Sequence, residues 1–262
     1  MFDTSVAPFL IYDEPEVSLG QQIEWISDSS ADGIEIAIFE DTSVENIAEK
    51  TAECDVDVAS IVGFEAQPLA DPAMTDPEQH DEVVTEIERR IEQARKLDCS
   101  NIVLLVGENQ SHLSRDVQHD SIVNVLTDVS EKLLCGDLTL LIEPLNTAID
   151  HEGYYLTSSQ QGFKLVEEVG SPAVRLLYDV YHQQVTEGNI IETISENIEK
   201  IGHVHVADVP GRHEPGTGEL HYRNIFQALN EAEYSGYVGF EYFPSGDPDD
   251  CLASALDLAQ SI

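Results

Sequence analysis

The chain has 262 residues, 42% of them hydrophobic, and carries 51 acidic against 12 basic side chains for a formal net charge of −39 at pH 7. That apolar fraction excludes the disordered class, where acidity accompanies a lack of core-forming residues. The scarcity of Lys and Arg excludes nucleic acid and anionic membrane as partners.

In chain order, the opening MFDTSVAPFLIYDE has no basic segment of the secretory kind. Its VAPFLIY run near Val6 reads as a first strand. An amphipathic helix is expected over 19–29, a strand in GIEIAIF near Gly33, a short helix over 43–53 and a strand in VDVASIVGF near Val56. A long helix follows over 77–97, with Val83, Val84, Ile87, Ile91 and Ala94 at helical spacing and Asp76 ahead of Gln79 as its start. NIVLLVG near Asn101 is the fourth strand and 120–134 its helix; LTLLIEPLN near Leu138 is the fifth, with a helix over 158–169 opened by Ser158 ahead of Gln161. VRLLYDVY near Val174, HVHVADV near His203 and YVGFEYF near Tyr237 complete the strands, with helices over 190–201, 224–233 and 251–261. No apolar run approaches the roughly 20 residues of a membrane span.

This alternation of strand and helix predicts a single-domain (β/α)8 TIM barrel, α/β class, over residues 1–262. An open doubly wound sheet would offer a glycine-rich phosphate loop after an early strand, and none is present. The acids are spread without blocks, which predicts a folded protein with a carboxylate-coated surface. Such a surface is tolerable where molar salt screens charge over roughly 3 Å. A salty cytoplasm, as in halophilic microbes, is the expected setting. Cys54, Cys99, Cys135 and Cys251 lie without CxxC spacing and are expected to be reduced, mostly buried thiols.

Chemistry in such barrels sits at the C-terminal strand ends. There the fifth strand ends in Glu143, the sixth in Asp179, the seventh carries His205 and the eighth ends in Glu241. Buried carboxylates on neighbouring strands repel unless a cation offsets them. One divalent metal bound by Glu143, Asp179, His205 and Glu241 is the expected solution. Oxygen-rich ligation with one imidazole suits Mn²⁺ or Mg²⁺, with Co²⁺ and Zn²⁺ as alternatives. Glu143 and Glu241 are the candidate catalytic residues, moving a proton between carbons of a substrate held between them. His182 and Arg212 are candidate substrate contacts, Arg212 as a clamp on a carboxylate or hydroxyl. His203 is expected one layer below His205 as a hydrogen-bonded residue, and Asn146, Gln183 and Gln184 as loop hydrogen-bonders.

LIEPLN, HEGYYLTSSQQ, LLYDVYHQQ, HVHVADVPGRHEPGTGELHY and YVGFEYFPSG, in this order, resemble the xylose-isomerase-like barrel superfamily, and within it the hydroxypyruvate isomerase family. The resemblance implies a (β/α)8 barrel with a divalent metal at the strand ends. Glu143 and Glu241 match the catalytic glutamates, the four residues above match the metal ligands, and His182 and Arg212 match substrate contacts. His205 stands where bacterial hydroxypyruvate isomerases often carry Gln, and in this it resembles the ketose 3-epimerases. Phe243 and Ser245 stand where basic residues are common in the family, and EAQPLADPAMTDPEQ replaces a Gly/Trp-rich segment.

The expected function is a cytoplasmic isomerase interconverting hydroxypyruvate and tartronate semialdehyde, or a close analogue, through an enediolate. Its partner is a small hydroxy-carbonyl or sugar substrate, with room for a homo-oligomer. The rival readings are a ketose 3-epimerase, a non-catalytic sugar- or metal-binding barrel, and an endonuclease IV-type nuclease. The last needs more histidine ligands and a basic DNA face, both lacking here.

Overall fold

Strand side chains alternate between two faces, and this chain uses the two faces for different chemistry. The computed structural model describes residues 2–12, 17–38, 43–62, 72–133 and 138–262. Its strands are β1 (Asp3–Val6), β2 (Gly33–Ala37), β3 (Asp57–Val62), β4 (Asn101–Leu104), β5 (Thr139–Ile142), β6 (Val174–Asp179), β7 (Ile201–Val206) and β8 (Tyr237–Phe240). All pair in parallel, in sequence order, and β8 closes on β1 to complete the barrel.

Ile34, Ile36, Ile102, Ile142, Val204 and Phe240 belong to the large apolar cluster shared with the surrounding helices. On the other face Val103, Leu141 and Leu177 form a small separate cluster inside the barrel. The rest of the interior is polar: Ser5, Glu35, Ser60, His203 and His205 are all buried. The lumen is therefore apolar on its β4–β6 side and charged on its β7–β2 side.

The helices are α1 (Pro8–Ile11), α2 (Leu19–Ser27), α3 (Val44–Cys54), α4 (His80–Lys96), α5 (Arg115–Ser130), α6 (Ser159–Val169), α7 (Val180–Thr186), α8 (Ile190–Asn197), α9 (Tyr222–Glu231) and α10 (Pro248–Gln260). Ser18, Ser43, Ser114, Ser158 and Asp247 each accept a first-turn backbone N–H, which fixes where five of these helices start. In α4 the expected stripe is buried at Val83, Ile87, Ile91 and Ala94. None of these helices is long and apolar enough to cross a membrane.

Three expectations are corrected. VAPFLIY is not one strand: β1 ends at Val6, and Pro8 opens a helical turn. Proline fixes φ near the helical value and has no N–H to give a ladder, so it suits a first helical position. The fourth helix starts at Arg115 because Ser114 caps it, earlier than the apolar pattern suggested. A helix was also missed: α7 follows β6 without a loop, since Asp179 both ends the strand and caps the helix through His182 N–H at 3.0 Å. Cys54, Cys99 and Cys251 are free thiols, with Cys54 only partly buried. Cys135, the ends of two expected strands at Phe39 and residues 63–64, and the start of EAQPLADPAMTDPEQ lie outside the described residues.

Leu177 fills the lumen beside Val103 and Leu141 with no exposure. Leu177→Ala is expected to destabilise the fold by about 2–5 kcal/mol, since a closed barrel cannot collapse around the gap. Urea unfolding of the variant measures it.

Candidate active site

The strand register assembles the site. Asp179 on β6 pairs with His205 on β7, and His205 pairs with Gly239 on β8, two residues before Glu241. Glu143 stands directly after β5. Each therefore lies two residues above a lumen position, on the same face as Leu141, Leu177, His203 and Gly239 respectively. One ligand-type atom from each of Glu143, Asp179, His205 and Glu241 falls within 4.8 Å of the others. The structure thus brings together the four residues read from the sequence as a metal set.

The electrostatics of this cluster are unbalanced. Burial pushes the Glu143 carboxyl up to about 7, with the charges of Glu241 and Asp179 adding to it and His205 opposing. Asp179 is raised too, again mainly by burial, although Arg212 draws it back. For Glu241 burial acts upward, but Arg212 and His205 together hold it down at about 2. Asp179 Oδ2, His205 Nδ1 and His182 Nε2 are buried with no hydrogen-bond partner among the described residues. His205 Nδ1 lies 3.5 Å from Glu241 Oε2 and 3.8 Å from Glu143 Oε1. Carboxylates in surplus, with the Asp179 Oδ2 and His205 Nδ1 lone pairs lacking donors, fit a divalent cation where the four residues meet.

His182 and Arg212 complete the group. His182 sits fully buried on α7. Its Nδ1 accepts from Asn146 Nδ2 at 2.7 Å, and burial holds the ring well below its ordinary pKa. The neutral ring then carries its hydrogen on Nε2, which faces Asp179 Oδ2 at 3.8 Å. Gln183 is likewise helical and buried, donating to Pro144 O at 2.9 Å and accepting from Ser159 N at 3.0 Å. Gln184 lies beside it on α7. Arg212 pairs with Glu241 and lies 3.8 Å from Asp179 Oδ2, its guanidinium 5.4 Å from the Tyr181 ring centre. Its backbone is held at φ 55°, a region that side chains other than glycine rarely adopt, directly after Gly211 at φ 96°. A hydrogen bond from Phe243 N to Arg212 O at 2.8 Å anchors it.

Sequence reasoning missed the residues that hold this arrangement. Asp208 is buried and accepts from Val209 N (2.9 Å), Gly216 N (2.9 Å) and Leu220 N (3.1 Å), which shapes the loop that carries Arg212. Glu214 accepts from Ser245 N at 2.9 Å and from the Ser245 hydroxyl, tying that loop to the one after β8. Asp150 accepts from Asn146 Nδ2 at 2.7 Å and Tyr181 Oη at 2.8 Å. Glu35 on β2 was also missed; its carboxylate receives His203 Nε2 at 3.0 Å and His205 Nε2 at 2.9 Å. Its signal was present in the sequence, as one charge between two isoleucines in GIEIA.

The site predicts that metal-free protein gains thermal stability on adding Mn²⁺. At a hundredfold excess over the dissociation constant the gain is about 2.7 kcal/mol. A Glu143→Gln, Glu241→Gln double variant should show little of it. Equal melting shifts in both proteins would contradict the assignment.

The family model described as xylose isomerase-like TIM barrel matches residues 23–262. The hydroxypyruvate isomerase of Escherichia coli is 37% identical over 168 residues, spanning 64% of this chain and 65% of that protein, just under two thirds of its length. The 2-oxo-tetronate isomerase of Pectobacterium atrosepticum is 29% identical over 179 residues, 68% of each chain. A crystal structure titled AP endonuclease, family 2, from Brucella melitensis superimposes with a TM-score of 0.89 at 25% identity, covering 97% of this chain and 98% of the other.

Proposed function

The chain belongs to the xylose isomerase-like TIM barrel family, and from that premise we propose that it is a metal-dependent isomerase of a small 2-hydroxy carbonyl compound, hydroxypyruvate being the leading substrate. The observation that carries this reading is the convergence of Glu143, Asp179, His205 and Glu241 on one buried point. These four would hold the cation, Mn²⁺ or Mg²⁺ first among candidates, with Co²⁺ and Zn²⁺ as alternatives. When bound, the cation supplies positive charge where substrate oxygens become negative.

The chain's own groups do the rest. Glu143 and Glu241 are the two carboxylates able to carry a proton to and from carbon. One removes a proton from C3 of hydroxypyruvate, leaving an enediolate; the other returns a proton to C2, giving tartronate semialdehyde. The C3 hydroxyl proton is lost and the former carbonyl oxygen gains one, so atoms balance. Arg212, held by Asp208 and Glu214 through its loop, reads the substrate carboxylate. His182, with its hydrogen on Nε2, positions a substrate oxygen.

Two relatives support the reaction class, since one is named a hydroxypyruvate isomerase and the other a 2-oxo-tetronate isomerase. A ketose 3-epimerase would use the same carboxylates but return the proton to the same carbon. One observation favours it: Arg212 is the described cation that contacts the cluster, and the stretches outside the described residues contain neither Lys nor Arg. A nucleic-acid substrate is disfavoured by the net charge of −39. The same acidic exterior supports a cytoplasm of molar salt as the working environment.

The test is turnover in D₂O. Metal-stripped protein in molar KCl receives Mn²⁺ with hydroxypyruvate or a panel of ketoses, and NMR follows the products. Metal-dependent tartronate semialdehyde is expected, and epimers from a ketose alone would move the assignment to the epimerase. Glu241→Gln is expected to lower turnover roughly 10²–10⁴-fold with an unchanged fold; wild-type turnover in that variant sinks the mechanism.

A further inference from the structure

Below the proposed cation site, Glu35 is a carboxylate with no solvent exposure, and its hydrogen-bond donors among the described residues are two serines and two histidines. Oε1 receives the Ser5 hydroxyl at 2.8 Å and His203 Nε2 at 3.0 Å. Oε2 receives the Ser60 hydroxyl at 2.7 Å and His205 Nε2 at 2.9 Å. Each oxygen thus accepts two hydrogen bonds, the full capacity of an ionised carboxylate. Donors reach it from β1, β3 and β7, so it is fixed from three strands.

The fourth neighbour makes room for it. A Cβ on Gly239 would lie 1.9 Å from Glu35 Oε1, 2.8 Å from His205 Cδ2 and 2.9 Å from His203 Nε2. Only glycine on β8 allows the carboxylate and both rings to meet. Burying a charge this deeply is costly unless it is fully hydrogen-bonded, and nothing in the proposed proton transfer touches it. What it does contact is His205, whose other nitrogen, Nδ1, has no hydrogen-bond partner among the described residues and faces Glu143 and Glu241.

We propose that Glu35 is a positioning residue: by accepting the Nε2 hydrogen of His205 it commits that ring to offer its Nδ1 lone pair to a divalent cation, while His203, Ser5 and Ser60 hold Glu35 still. The inference rests on the reading of Glu143, Asp179, His205 and Glu241 as a cation site. A hydrogen on the second nitrogen of a ligating imidazole, given to a carboxylate, fixes both tautomer and ring orientation. Glu35, His203 and His205 also form a compact group that could hold an ion by spacing alone. Their mutual hydrogen bonds argue otherwise, since each Glu35 oxygen is saturated and both Nε2 atoms serve as donors.

The test uses metal alone, with no substrate. Metal-free protein is titrated with Mn²⁺ and free ion followed by electron paramagnetic resonance. The wild type is expected to bind one equivalent, and Glu35→Gln to bind it roughly 10- to 100-fold more weakly. A second measurement needs no variant: ¹⁵N-histidine NMR of the Zn²⁺-loaded wild type should show His205 with hydrogen on Nε2 and metal on Nδ1. Unchanged affinity in Glu35→Gln, Nε2 as the metal-bound nitrogen, or a second tight equivalent each overturn the proposal. No binding by the wild type would overturn the cation site itself, a different result from binding that ignores Glu35.

Discussion

Three carboxylates buried within reach of one another at the barrel mouth are the constraint on which the rest depends. Asp179 ends a strand, and Glu143 and Glu241 directly follow strands, that the closed sheet holds in fixed register, which limits how far they can separate to relieve their repulsion. Arg212 offsets part of the charge and settles mostly on Glu241, which is why that carboxyl falls while Glu143 and Asp179 rise. His205 offers a nitrogen to the same point. The arrangement fits a cation, and on the proposed reading the local charge that would recruit one would also serve proton transfer between carbons.

Below the mouth the polar half of the lumen is support for that cluster. A TIM barrel is ordinarily filled with branched apolar residues. Here the β4–β6 side keeps that filling in Val103, Leu141 and Leu177, while the β7–β3 side replaces it with Glu35, two histidines and two serines. Every lone pair of Glu35 is used, so that buried carboxylate is satisfied. Above the mouth a second support runs through Asp208 and Glu214, which hold the β7 loop and with it the left-handed backbone of Arg212.

The barrel was legible because its strands alternate with helices at a regular spacing and several are apolar on both faces. The four converging residues were legible because a charge at the end of an apolar strand needs an explanation, and four such ends in succession share one. What was hidden depended on contacts between distant segments. Glu35 could be seen as a charge between isoleucines, but its two imidazole partners lie 168 and 170 residues away. Helix α7 was hidden because Asp179 serves strand and helix at once, leaving no loop residues to mark the boundary. Pro8 misled in the opposite sense: it sits inside an apolar run yet ends the strand before it.

The most direct measurement is the anomalous scattering of Mn²⁺ in crystals of the metal-loaded protein. The account predicts one strong peak within bonding distance of Glu143, Asp179, His205 Nδ1 and Glu241. A peak among Glu35, His203 and His205 Nε2, or none at the strand ends, would contradict it.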